Sequence, residues 1–135
     1  MSILLLDTNI LSYWMRGDSV ILSRLQLYRP CDLVFSTITL AEILYGIEKS
    51  PVKKKERRKK IDQIGAQLKI VDFDKAAARQ YAVIRTRLEK KGVPISERDL
   101  QIAAIALAND FGVVTHNTKE FNRVEGLTVE DWVST

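Results

Sequence analysis

The chain has a single cysteine, Cys31, and a single histidine, His116. One thiol cannot close an intrachain disulfide, and one imidazole with one thiol cannot furnish a structural zinc site. A reducing cytoplasm is the compartment this composition implies. The opening residues, MSILLLDTN, lack the charged start and longer apolar stretch of a secretory signal, and no apolar run approaches a membrane span, so no membrane association is expected. Linkers, internal repeats and low-complexity segments are also missing, which leaves residues 1–135 as a single domain. With 46% hydrophobic and 28% charged side chains, that length suffices to bury a core.

Charge is present but unevenly placed. The formal net charge is +4, yet the run KKKERRKK from Lys53 to Lys60 carries +6 within eight residues, so the other 127 residues sum to −2. Basicity therefore belongs to one segment and not to the fold.

Residues 3–6 form a continuous apolar run that stops at Asp7-Thr8-Asn9, as expected of a short strand buried on both faces. Helices are expected over 9–15 and 19–28, the second stopped by Arg29-Pro30. A second strand over 33–35 leads to a helix beginning at Thr39, whose Leu40, Ile43, Leu44 and Ile47 share one face and which ends near Ser50-Pro51. The basic run opens a further helix reaching Leu68. A strand over 69–73 and a helix over 75–91, capped by Asp74, come next. In the helix over 96–111, Gln101 alone is polar between Leu100 and Ala108, which places it at the centre of the protein. A fourth strand over 113–115 and a short edge strand over 127–129 complete the chain. Short strands alternating with helices predict an α/β fold, a three-layer sandwich around a four- to five-stranded, mainly parallel sheet.

Ligands of such sheets collect beyond the carboxyl ends of the strands, where Asp7 and the loop after Thr115 are expected. Asp7 also suits an N-cap. Thr39-Leu-Ala-Glu42 and Ser96-Glu-Arg-Asp99 both match a capping box, a hydroxyl followed three residues later by an acid. Singly, each acid has this structural use. Together, Asp7, Glu42 and Asp99 would repel one another unless one took up a proton or a cation joined them. A hard divalent ion, Mg²⁺ or Mn²⁺, suits a few carboxylates and several waters, and would activate a water and stabilise charge on a phosphodiester. The segment Thr115-His-Asn-Thr-Lys-Glu-Phe121 returns to the same edge. It offers Glu120 as a fourth carboxylate, with Asn117 and Thr115 able to hold another acid or a water by hydrogen bonds. His116 has no serine on a Gly-x-Ser-x-Gly elbow to assist. A receiver-type phospho-acceptor would need an acidic pair after the first strand, where Leu6 precedes Asp7; a haloacid-dehalogenase-like phosphatase would need an acid where Asn9 stands.

LLLDTNILSYW, STITLAEILYGIEKS and ISERDLQIAAIALANDFGVVTHNTKEFNRVEGLTVEDW, in that order over nearly the whole chain, resemble the PIN-domain ribonucleases of the VapC toxin class. The resemblance implies a PIN-like fold and a metal-dependent endoribonuclease with Asp7, Glu42 and Asp99 as its acids, Asp7 and Asp99 holding Mg²⁺ or Mn²⁺. The fourth position lies after Thr115, where the commonest family pattern has an aspartate and this chain has Asn117; relatives with a similar loop use an acid three residues later, matching Glu120. Ser96-Glu97 stands where relatives often have Gly-Pro. The resemblance further implies a homodimer restrained by a cognate VapB-type antitoxin, for which Tyr13, Trp14 and Met15 offer an apolar grip, and RNA as substrate, with tRNA favoured.

An acidic centre repels the RNA backbone, so such a nuclease needs bases at its rim. Lys53, Lys54, Lys55, Arg57 and Arg58 are the expected phosphate contacts, joined by Arg98 and supported by Arg85, Arg87, Lys90 and Lys91. The reading from another class is a non-catalytic RNA-binding module that uses the 53–60 run while the acids only cap helices; metal dependence separates the two.

Overall fold

A computed structural model describes residues 2–133. Five strands, β1 (Leu4–Leu6), β2 (Leu33–Ser36), β3 (Lys69–Val71), β4 (Gly112–Val114) and β5 (Val129–Glu130), form one sheet in the order β3-β2-β1-β4-β5. Every pairing is parallel. Leu5 of β1 stands opposite Val34 and Val113, and Leu6 opposite Val114, so alternate residues feed opposite faces. Leu5, Val34 and Val113 enter one core; Leu4, Leu6, Phe35 and Val114 enter the other. Both faces are covered, which is why the strands are apolar without alternation.

The layer on the Leu4/Leu6 face holds α1 (Thr8–Met15), α2 (Ser19–Leu25), α3 (Thr37–Lys49) and α4 (Lys54–Gln67). Trp132, 1% exposed, closes this core and stacks on Tyr28 with ring centroids 5.2 Å apart. The opposite layer holds α5 (Lys75–Lys90) and α6 (Glu97–Asn109), with α7 (Thr118–Phe121) inserting Phe121. The all-round apolar helix is α6: it touches α5, β4, α7 and α3, and Leu100 and Ile102 through Ala106 are buried.

The sheet and three-layer order match the expectation, with boundaries differing at points that matter for the site. The third helix begins at Thr37, and its cap is Ser36, whose Oγ accepts from the Thr39 N–H at 3.1 Å. Thr39 is thus inside the helix, its hydroxyl 3.1 Å from that of Thr8, and Glu42 lies in the second turn. The capping box expected at Thr39 and Glu42 is overturned, because a hydroxyl three residues earlier sits where the chain leaves β2. The second helix ends at Leu25, and a 3-10 turn over Pro30–Asp32 leads into β2. Part of the loop after Thr115 is helical, as α7, and the edge strand pairs through Val129 and Glu130. No helix among the described residues is long and apolar enough to cross a membrane.

Candidate active site

In the strand order, the chain departs to one side of β1 through β2 and β3 and returns on the other through β4. The crevice beyond β1 and β4 is therefore the topological switch point, where open parallel sheets bind ligands. Crossover helices run back against the strands, so α6 presents its first turn to the same edge as the ends of β1 and β4.

Asp7 holds the last rung of β1. Its N–H donates to Val114 O at 3.0 Å, and its carboxylate accepts from Ile10 N at 3.0 Å as the cap of α1. The side chain is also bonded to the Thr115 hydroxyl. Burial pushes the Asp7 carboxyl above its usual range, against the opposing pull of Thr115, the Ile10 and Asn9 amides and the Arg98 charge. Thr115 is fully buried, and its hydroxyl also accepts from Asn117 N at 2.8 Å.

Asn117 carries the network to the second acid. Its amide nitrogen donates to Asp99 Oδ2 at 2.8 Å and to Glu120 Oε2. Asp99, 3% exposed, stands in the first turn of α6. Ser96 Oγ accepts from Asp99 N at 3.3 Å, which is the cap half of the expected box. The Asp99 carboxylate turns instead to Asn117 and Glu120, with Arg98 alongside. Burial and the Glu120 hydrogen bond raise Asp99 to about 6, while Asp99 and Asn117 lower Glu120 below its usual range. Of the two, Asp99 takes up a proton the more readily.

The structure thus brings Asp7, Asp99, Asn117 and Glu120 into one hydrogen-bonded chain from three parts of the sequence. Glu42 is exposed on α3 and reaches this group through Arg98, whose Nη1 lies 4.0 Å from Glu42 Oε2 while its Nε lies 3.8 Å from Asp99 Oδ1. Among the described residues, no three acid, histidine or cysteine side chains are grouped so as to hold a metal ion by themselves. The donors are all oxygens, and two of the acids, Asp7 and Asp99, are buried. Such a set fits a hard divalent ion that retains several waters, and not zinc. His116 sits apart, with Nδ1 3.3 Å from Asp131.

The basic run is divided by the fold. Arg57 is half-buried and donates to Gly46 O, Ile47 O, Ser50 O and Val52 O at 2.6–3.3 Å, capping the carbonyl end of α3. Lys54 and Arg58 pair with Glu48. Lys53, Lys55, Lys59 and Lys60 are exposed, with no ion pair among the described residues. The α5 bases Arg85, Arg87 and Lys90, with Lys91 just beyond, belong to the opposite layer, so they do not extend this patch. A cavity of about 250 Å³ lined by Thr8, Ser12, Glu42 and Ile43 shares Met15, Arg16 and Arg57 with one of about 460 Å³ lined by Lys53 and Lys60. One groove therefore runs from Glu42 to the exposed lysines. Sequence reasoning missed Ser36, the Thr8–Thr39 hydroxyl pair and the inward position of Arg98; only Ser36 had a local signal, its hydroxyl three residues before Thr39.

Comparison with known proteins identifies the family. The PIN domain family matches residues 4–127. The chain is 39% identical over 132 residues to Ribonuclease VapC2 of Rickettsia felis, covering 96% of this chain and 98% of that one. It is 33% identical over 128 residues to the tRNA(fMet)-specific endonuclease VapC of Shigella flexneri, covering 95% and 96%. The DNA-bound VapBC structure of Salmonella typhimurium superposes with a TM-score of 0.89 at 33% identity, covering 98% of this chain and 99% of that one. The chain belongs to the VapC ribonucleases of the PIN domain family.

Proposed function

We propose that this protein is the toxin of a type II toxin–antitoxin pair, a divalent-metal-dependent endoribonuclease that cuts RNA and so inhibits translation in the cytoplasm. The observation that carries this reading is the chain Asp7–Thr115–Asn117–Asp99–Glu120 at the switch point of the sheet. Helix caps alone would not require Asn117 to donate to two carboxylates at once. Asp7 and Asp99 would hold Mg²⁺ or Mn²⁺, with Glu42 and Glu120 at the margin. Once bound, such an ion supplies charge stabilisation at the phosphate and lowers the pKa of a coordinated water. Thr115 and the Ile10 amide fix the Asp7 carboxylate, and Asn117 aligns Asp99 with Glu120. Glu120, kept ionised by these partners, would accept the proton of the attacking water. The groove toward Lys53 and Lys60 would seat the flanking backbone.

The identity to a tRNA(fMet)-specific endonuclease supports tRNA as substrate, with an initiator tRNA anticodon stem-loop as the first target to examine. The solved VapBC relatives support a cognate VapB-type antitoxin. The groove where Met15 of α1 and Ile43 and Ile47 of α3 give apolar surface supports a seat that would put antitoxin and RNA in competition. A homodimer completes the reading and is checked by light scattering. The purified chain should cleave tRNA in Mg²⁺ or Mn²⁺ and stop on chelation, with end mapping in total RNA locating the cut. Cleavage undiminished by chelation would overturn the metal assignment, and RNA binding without cleavage in either ion would favour a binding module.

A further inference from the structure

Arg98 follows the cap of α6, in a helix first turn where the macrodipole disfavours a cation. Nothing in its local sequence turns it inward. Its guanidinium nonetheless lies among acids from both helical layers: Nε is 3.8 Å from Asp99 Oδ1 and Nη1 is 4.0 Å from Glu42 Oε2. Its charge also stabilises the ionised forms of Asp7 and Glu120. The side chain is 36% exposed, and both separations are longer than charge-assisted hydrogen bonds. Charge holds it there more than directed bonding does, and a long, half-exposed side chain can leave.

We propose that Arg98 is the acid cluster's built-in counter-cation and competes with the divalent ion for it. This rests on the reading of the cluster as a divalent-ion site and adds what sets its affinity. Arg98, within 4.0 Å of Glu42 and 3.8 Å of Asp99, offsets one of the cluster's carboxylate charges, so the cluster attracts an entering ion less than its acids alone would. Removing one positive charge from about 5 Å beside a divalent-ion site strengthens binding on the order of tenfold at a dielectric near that of water, which a side chain free to swing into solvent experiences.

The test is titration of the full chain with Mn²⁺, followed by calorimetry and by the loss of free-ion EPR signal. Arg98→Gln should bind Mn²⁺ about tenfold more tightly than the parent, and its melting temperature should rise at correspondingly lower Mn²⁺. Arg98→Lys, which keeps a point charge on a flexible stem, should remain near the parent. Equal or weaker binding by Arg98→Gln would overturn the proposal while leaving the metal site intact. So would Arg98→Lys behaving like Arg98→Gln, because the effect would then not follow charge. A parent chain that binds no Mn²⁺, or binds it as Asp7→Asn does, would overturn the metal site itself.

Discussion

The acid cluster and the basic run carry opposite charge and are built in opposite ways. These acids come from three stretches of chain, and the fold holds them together: Asp7 at the end of a strand, Asp99 and Glu120 in first turns of helices, Asn117 bonded between the last two. The bases are contiguous in sequence, mostly exposed, and arranged along one helix. Charge gathered by tertiary structure pays a desolvation penalty and must be matched by partners. Charge gathered by sequence stays in water at little cost. The first kind suits chemistry that needs defined positions; the second suits a polyanion that can be gripped in many registers.

The largest effect is expected where position matters most. Asp7→Asn keeps a cap acceptor for Ile10 yet removes a charge, and cleavage should fall at least about a hundredfold while RNA affinity is retained. Unchanged cleavage, with contaminating nuclease excluded, would remove Asp7 from the chemistry. The exposed bases should respond by degree. Neutralising Lys53, Lys55, Lys59 and Lys60 together should weaken binding to many RNA sequences on the order of tenfold, and should flatten the salt dependence by up to about one slope unit for each phosphate left without its lysine. An unaltered slope would make the run a solvated face. Neutralising Lys54 and Arg58, already paired with Glu48, should change the slope less.

How far each region is legible follows from the same difference. The basic run is visible in the sequence because its charge is local, but its division is not, since the carbonyls that engage Arg57 belong to the end of the preceding helix. Asp7 and Asp99 are legible because a strand end and a helix first turn leave local marks. Spacing alone puts Glu42 one turn too near the start of α3, since Ser36 and Thr39 are both hydroxyls at capping spacing and only the end of β2 decides between them. The parallel pairing follows from alternating elements. The four-residue α7 does not, because TKEF has no periodicity to detect. Arg98 reads locally as a solvent-facing base, and its acidic surroundings exist only once α3 and α6 meet.

Arg57 breaks the comparison from the basic side, being a base that behaves like the acids. It joins α4 to the carbonyl end of α3, where a cation is also favoured by the helix dipole. Arg57→Ala leaves those carbonyls without this partner and should destabilise the fold by about 2 kcal/mol, read as a lower denaturation midpoint. Arg57→Lys should recover little of it, because one ammonium cannot reproduce the fork. Loss of RNA affinity with full stability would instead place Arg57 among the phosphate contacts.

The smallest effect sharpens the comparison from the acidic side and depends on pH. The folded chain holds a proton on Asp99 up to about pH 6, whereas the unfolded carboxyl releases it near its usual 3.8. A raised acid favours folding fully below the unfolded value and loses that contribution as pH climbs through the folded one. In chelator, the parent should therefore lose stability between about pH 4 and pH 6, relative to Asp99→Asn, which cannot ionise and still offers Glu120 a donor. Glu120, lowered, acts in the opposite sense at the acid end of that window, so the full Asp99 difference will not be seen. A gain of roughly 3–6 °C in melting temperature for Asp99→Asn at pH 7.5, vanishing toward pH 4, is the expected pattern. A variant that melts lower than the parent at pH 7.5 would show that the Asp99 carboxylate supports the fold, as a simple cap would, and that its charge is not the cost borne by a site made for a cation.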